Sequence, residues 1–383
     1  MRIPNLDETW QHRQLLPTLE GIVRRVLIDE DFAVTQAAGL EQDVSAFLGG
    51  GHAVAVQSGT AALFLTLLAL GVGSGDEVIT APNSDLATTA SISHTGARFV
   101  FCDVEPDTMN LDPALVENRI SPRTKAILPV HLYGHPAEMG PVVEIARRHR
   151  LLVIEDACLS IGASYHGQAT GLIGKAGCFS FGIRKVISGA GTGGMVVTHD
   201  PELARRIRLL RAVGQYPAMN EMTPSAREEV HGQQNLVEGY YLQLNNMQAA
   251  IIREKLHHLR EWQARRQDLA DRYARHFAGT RVTAPVVRPG CTHAWRDYVV
   301  QLPHRAEVRR ALREAGIATA LRYVPPVYLQ PVYRHLGLGP GSFPVAERLA
   351  DRVLGLPMYP GLHTDQVDEV ASAVLAALRT VND

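Results

Sequence analysis

Lysine is scarce in this chain. Its 383 residues include only four, Lys125, Lys175, Lys185 and Lys255, among 38 lysine and arginine side chains. Arginine stays protonated and forms no useful Schiff base, so any amine chemistry rests on those four. Cysteine is equally sparse. Cys102, Cys158, Cys178 and Cys291 stand far apart and show no paired metal-ligand spacing. Three of them lie in apolar, strand-like contexts that suit buried thiols, and a reducing cytoplasm is the simplest expectation. Long apolar runs are missing too. The longest, AALFLTLLALGVG at 61–73, is shorter than the ~20 residues of a membrane span. The opening MRIPNLDETW has no apolar core and no small-residue cleavage site, so no signal peptide is expected. Nor is there an excess of charge. A net charge of −1 gives no pull toward nucleic acid or an anionic membrane. Internal repeats and low-complexity segments are absent.

What is present fits a soluble globular protein, 46% hydrophobic and 20% charged. The length suits two domains, or one large domain with an appendage. From about Ala53 to Thr198, short apolar runs alternate with helical patterns. The expected strands are 77–81, 98–104, 125–132, 151–157, 177–181 and 193–198. Several are apolar throughout, as strands buried on both faces are. Helical patterns lie between them at 61–70, 86–94, 113–118 and 141–150. This alternation predicts an α/β fold with an open, mostly parallel sheet, whose ligands bind beyond the carboxyl ends of the strands. A polar segment at 215–235, with Pro217 and Pro224, reads as an exposed loop. A long amphipathic helix is expected at about 246–277. Beyond it a small α/β unit contains a strand at 295–302, a helix at 306–315 and a terminal helix at 364–381 capped by Thr364.

Within this frame Lys185 stands out. It ends FSFGIRK at 179–185, follows a predicted strand and lies away from any charged surface helix. A desolvated amine there can lose its proton and attack a carbonyl. Equally, a lysine at a strand end can simply neutralise a carboxylate. Three distant features share the strand-end location. The turn SGTAAL at 58–63 leads into an apolar helix whose free N–H groups suit a phosphate, or it is an ordinary helix cap. Asp156 ends the apolar strand LLVIED. It can keep a heteroaromatic nitrogen protonated and make the ring an electron sink, or it can cap a helix. Ser180 can meet a phosphate or bond to backbone. The run GAGTGG at 189–194 precedes a strand rather than opening a helix, which argues against a dinucleotide fingerprint. Close backbone approach accounts for it better.

A phosphate seat, an acid for a pyridine nitrogen and a Schiff-base lysine are what pyridoxal 5'-phosphate needs. In order and spacing the chain resembles the DegT/DnrJ/EryC1/StrS family of sugar aminotransferases, of fold type I. The likeness extends through FVFCDVEPDTMNLD at 99–112, TKAILPVHLYG at 124–134, IEDACLSIGASYHG at 154–167 and GSFPVAERLADRVLGLPMYPGL at 341–362. It implies a large cofactor-binding domain at 1–255, including the N-terminal segment, and a smaller C-terminal α/β domain at 256–383. By the same resemblance, Lys185 holds the cofactor and shuttles a proton. Asp156 pairs with the pyridine nitrogen, and Gly59, Thr60 and Ser180 hold the phosphate. Glutamate or glutamine would be the amino donor. A keto sugar, usually nucleotide-linked, or a keto cyclitol would be the acceptor, as in deoxysugar and antibiotic biosynthesis. Family members are homodimers whose sites the partner subunit completes.

The chain departs from the family pattern around these residues. Leu159 replaces a Gln or His packed near the ring, and Leu86, beside an unusual Asp85, takes the slot of a stacking aromatic. Tyr241 and Gln243 replace the Asn and Arg of GYN-x-R, whose Asn reaches the partner's phosphate. Tyr328 replaces a histidine before LQP, and Thr192 an acid in the glycine run. Asp85 and Tyr328 are therefore expected to face the acceptor, Asp85 through a hydroxyl or an ammonium group. Alternative outcomes are a related dehydration, epimerisation or oxidation, or a non-catalytic regulatory role. Retention of the lysine disfavours the family's dehydratase branch, which has histidine in that place.

Overall fold

The computed structural model describes residues 1–7, 9–215 and 235–380. The expected loop at 215–235 thus lies, apart from its two end residues, outside the described residues. Twelve strands are formed among the described residues: β1 (His52–Val56), β2 (Glu77–Thr80), β3 (Arg98–Phe101), β4 (Thr124–Ile127), β5 (Leu152–Asp156), β6 (Ser164–Tyr165), β7 (Gln168–Ala169), β8 (Ala176–Ser180), β9 (Gly194–Thr198), β10 (Cys291–Thr292), β11 (Tyr298–Gln301) and β12 (Val353–Leu356). Seven form the central sheet, in the order β1-β9-β8-β5-β4-β2-β3. Its pairings are parallel from β3 through β8, and β9 alone runs against its neighbours. The expected mostly parallel sheet is therefore what forms.

The reason is local composition. Val78, Ile79, Ala126, Ile127 and Ile154 are fully buried, because helices cover both faces of the sheet. Each such Val or Ile contributes roughly 1.5–3 kcal/mol relative to exposure. The helix Gly59–Ala69 is apolar nearly all round and nearly all buried, as expected of a helix inside a large core. It packs on helix Leu86–Ser93 and on β8 and β9. Of the seven strands in this sheet, β1 alone had no separate signal in the sequence. It closes the sheet edge by pairing with β9, His52 opposite Thr198 and Val56 opposite Gly194.

The long amphipathic helix is two helices, Asn246–His257 and Leu259–Phe277, separated at His258. The second packs on helix Thr364–Thr380. Together with β11, β12 and helix Arg305–Glu314 it encloses a third apolar cluster, joined from the far end of the chain by the fully buried Ile3. Thr364 is the first residue inside the terminal helix rather than its cap. His363 takes the capping place. Its carbonyl accepts from Gln366 and Val367, and its own N–H donates to the Gln366 side chain at 3.0 Å. No helix among the described residues is long and apolar enough to cross a membrane.

Candidate active site

Strands β4, β5 and β8 run parallel, so their carboxyl ends meet at one edge of the sheet. A cavity of about 220 Å³ opens there, lined by Lys185, Asp156, Ser180, Gly59 and Thr60 together. The four features taken from distant parts of the sequence thus converge.

Asp156 ends β5 and is 4% exposed. Its backbone is tied to the chain after β4, with N–H to Pro129 O at 2.9 Å and O from His131 N at 3.1 Å. One carboxylate oxygen, Oδ1, accepts from the Cys158 amide at 3.2 Å. The other, Oδ2, accepts from the Thr88 hydroxyl at 2.8 Å. Thr88 also lines the cavity, and the sequence reading missed it. The neighbouring Glu155 points away from the cavity chemistry. Its carboxylate accepts from the amides of Gly171, Ile173 and Gly174, each at 2.7 Å, and meets His131 Nε2 at 2.9 Å. His131 Nδ1 accepts from Ala137 N, so Nε2 carries the proton and donates to Glu155. This buried network, also absent from the sequence reading, clamps the end of β5.

The phosphate seat is the start of helix Gly59–Ala69. Ser58 caps it, accepting from Ala61 N at 3.1 Å. The amides of Gly59 and Thr60 have no protein acceptor among the described residues. A Cβ at Gly59 would lie 2.6 Å from Ser180 Cβ and 2.7 Å from Cys158 Sγ, so only glycine fits between β8 and the helix. At Gly194 a Cβ would fall 2.2 Å from Ser58 O. Close approach is therefore the role of the end of the glycine run.

Lys185 sits in the connection from β8 to β9, whose ends pair as Ser180 with Gly194. Its amide donates to Gly182 O at 3.0 Å, and Gly189 N–H donates to Phe181 O at 2.9 Å. Two outside side chains hold the same connection. Gln11 Nε2 donates to Val186 O at 2.8 Å, and the fully buried Lys255 donates to Ser188 O at 2.5 Å. Burial draws the Lys255 ammonium down to about 7. Leu6, Asp7 and Gln11 from the N-terminal segment line a small pocket that Lys185 also borders.

Around these groups, Leu159 is 4% exposed and forms an apolar wall of the cavity. Cys158 lines it as a neutral thiol, pushed well up chiefly by burial and next by Asp156. Tyr323, not expected from sequence, also lines it. Its phenol is raised by burial and by Asp297.

Three expected residues fall elsewhere. Of the pair at the aromatic slot, Asp85 lines the cavity while Leu86 does not and is 44% exposed. Asp85 is the cap of helix Leu86–Ser93, accepting from Ala87 N at 3.0 Å. Leu86 begins that helix and is turned away by its first turn. Tyr328 is buried against Phe101 and Phe343, and its hydroxyl is bonded to Glu347. It does not reach the cavity, because the family histidine's position here belongs to the apolar core. Tyr241 is largely exposed. With Gln243 it borders a second cavity of about 510 Å³, where the buried side-chain oxygens of Gln243 and Gln248 lack partners among the described residues.

The donor set fits pyridoxal phosphate: unclaimed amides at a helix start, a buried carboxylate and an amine share one cavity. Among the described residues no group of His, Cys, Asp and Glu is placed to hold a metal. The model of the DegT/DnrJ/EryC1/StrS aminotransferase family matches residues 33–375. The chain is 41% identical over 378 residues to "Erythromycin biosynthesis sensory transduction protein EryC1" of Saccharopolyspora erythraea, covering 98% of this chain and 100% of that one. It is 38% identical over 375 residues to the "dTDP-3-amino-3,4,6-trideoxy-alpha-D-glucose transaminase" of Streptomyces venezuelae, covering 97% and 95%. The crystal structure of S. venezuelae DesV in complex with a ketimine intermediate superposes with a TM-score of 0.90 at 38% identity, covering 98% of each chain.

Proposed function

Because the chain belongs to the DegT/DnrJ/EryC1/StrS aminotransferase family, we propose that it moves an amino group from glutamate or glutamine to a nucleotide-linked keto sugar or a keto cyclitol, with pyridoxal phosphate as cofactor. The amino acid becomes a keto acid, whose oxygen comes from water. The acceptor carbonyl becomes an amine and its oxygen leaves as water. The convergence of Lys185 and Asp156 on one cavity supports this reading most directly.

Pyridoxal phosphate, when bound, supplies an electron-withdrawing ring and a carbon that carries the amino group between donor and acceptor. The chain's own residues supply the rest. The Gly59 and Thr60 amides and the Ser180 hydroxyl hold the phosphate, favoured by the positive end of the helix. Asp156 faces the ring nitrogen and keeps its proton in place. Lys185 Nζ takes a proton from the donor's α-carbon and later delivers one to the acceptor carbon that becomes aminated. Leu159 excludes water from one side of the site. Asp85, with Oδ2 unclaimed among the described residues, is assigned to an acceptor hydroxyl or ammonium group.

A homodimer belongs to the same proposal. Val26 and Tyr241 border the second cavity, and Leu27 and Ile28 beside them are 73% exposed. An apolar surface of this kind suits a second copy, which size-exclusion chromatography with light scattering would detect.

The test is direct. Protein loaded with pyridoxal phosphate and treated with borohydride should carry the adduct on Lys185, and glutamate should convert the bound cofactor to its amine form, seen by absorbance. Lys185→Ala should abolish both, and a variant retaining both would refute the assignment. The name of the S. erythraea relative raises a purely regulatory role. That role would leave Lys185 and Asp156 without a task, and a wild-type protein that never takes up cofactor would select it.

A further inference from the structure

The Thr88 hydroxyl donates to Asp156 Oδ2 at 2.8 Å, with Thr88 1% and Asp156 4% exposed. A serine or threonine hydroxyl inside a helix ordinarily bonds back to a carbonyl one turn earlier. In this same helix Ser91 does so with Ala87 O at 2.7 Å, and Ser93 with Thr89 O at 3.1 Å. Thr88 instead spends its one donor across the cavity wall. The helix is held for that contact at both ends of its first turns. Asp85 caps it at 3.0 Å, and the buried Tyr333 hydroxyl meets Thr89 Oγ1 at 2.8 Å. With Cys158 N on Oδ1 and Thr88 on Oδ2, both carboxylate oxygens have a fixed protein donor. The plane of the carboxylate is thereby set, and each oxygen keeps a lone pair for a further donor.

We propose that Thr88 is a positioning residue: its hydroxyl fixes the orientation of the Asp156 carboxylate toward the cofactor's ring nitrogen. This rests on the aminotransferase reading. A hydrogen bond to a carboxylate favours its ionised form, and charge-assisted bonds in a buried site are among the strong ones. Losing the donor should let the carboxylate rotate.

The experiment compares wild type, Thr88→Val and Thr88→Ser in two measurements. One is the dissociation constant for pyridoxal phosphate, from fluorescence quenching. The other is the pH midpoint of the bound cofactor's visible absorbance change. Thr88→Val should weaken binding about tenfold or more, as expected for a lost bond to a charged group, and should move the midpoint. Thr88→Ser, which keeps the hydroxyl, should restore both to within about twofold. Valine behaving as wild type, or serine doing no better than valine, would overturn the proposal. So would a change confined to thermal stability without cofactor, which marks a packing role alone. Should the valine variant fail to fold, Thr88→Ala gives the same comparison against serine. Failure of the wild type itself to bind cofactor would instead remove the functional reading.

Discussion

Asp156→Asn keeps the shape of the acid and removes its charge. Lys185 is untouched, so the borohydride-trapped adduct should persist. Turnover should fall about 10²-fold or more, because an electrostatic partner preorganised in a buried site is lost. Single-turnover absorbance with glutamate measures this, and unchanged turnover would assign Asp156 another role. At this scale the sequence was informative about which residues come together and less so about direction. Lys185, Asp156, Ser180 and the Gly59–Thr60 turn share one cavity, because strand ends and a helix start of a parallel sheet meet at one edge. Thr88 was not legible, since nothing local distinguishes it from Thr89, and only the fold brings it to Asp156. Asp85 and Leu86 were adjacent in sequence, but a helix start divides them, one lining the cavity and the other reaching solvent. Tyr328 could not be placed, because its burial depends on Phe101 and Phe343 from distant segments.

Among elements, the connection from β8 to β9 has the most at stake, and helix Asn246–His257 steadies it through Lys255. Lys255 is fully buried and drawn down to about 7, so the folded protein binds its proton more weakly than the unfolded chain, whose lysine titrates near 10.5. Below about pH 7 both states are protonated and the burial cost is borne in full. Between about 7 and 10.5 the unfolded state binds more protons, so this residue's effect on stability improves as pH rises. His12 faces the same amine and is itself lowered by burial first and by Lys255 second. Denaturant titrations across that range should show a rise in the wild type that is absent in Lys255→Met. An equal rise in both would place the effect on other groups. The apolar runs made the parallel strands legible, since burial on both faces leaves continuous hydrophobic sequence. The short β1, the break at His258 and the His363 cap were not legible, because pairing with β9, packing and a single side-chain bond decide them.

Across the whole molecule, the N-terminal segment joins parts that no periodic pattern connects. Ile3 is fully buried among residues of the C-terminal cluster and pairs beside Ile317. Trp10 meets Trp262 edge to face at 5.7 Å, and Gln11 holds the chain just after Lys185. Ile3→Ala should lower the free energy of unfolding by about 2–5 kcal/mol, read from urea or guanidinium titration. A loss below about 0.5 kcal/mol, typical of surface positions, would mean the segment does not dock in solution. Long-range tethering of this kind leaves no periodic trace, which is why the first ten residues read only as lacking a signal peptide.

That tether also sets an order of events. Leu6, Asp7 and Gln11 border a pocket with Lys185, and Trp10 meets Trp262 of helix Leu259–Phe277, which is made much later. Contacts so far apart in sequence form late in folding. Lys185 therefore gains its full surroundings only once Tyr359 and Pro360, which border the same pocket, have been synthesised, and on the proposed reading cofactor capture would report on that folding. In timed cell-free synthesis, the visible absorbance of bound cofactor would appear with chains extending past Pro360 and not before.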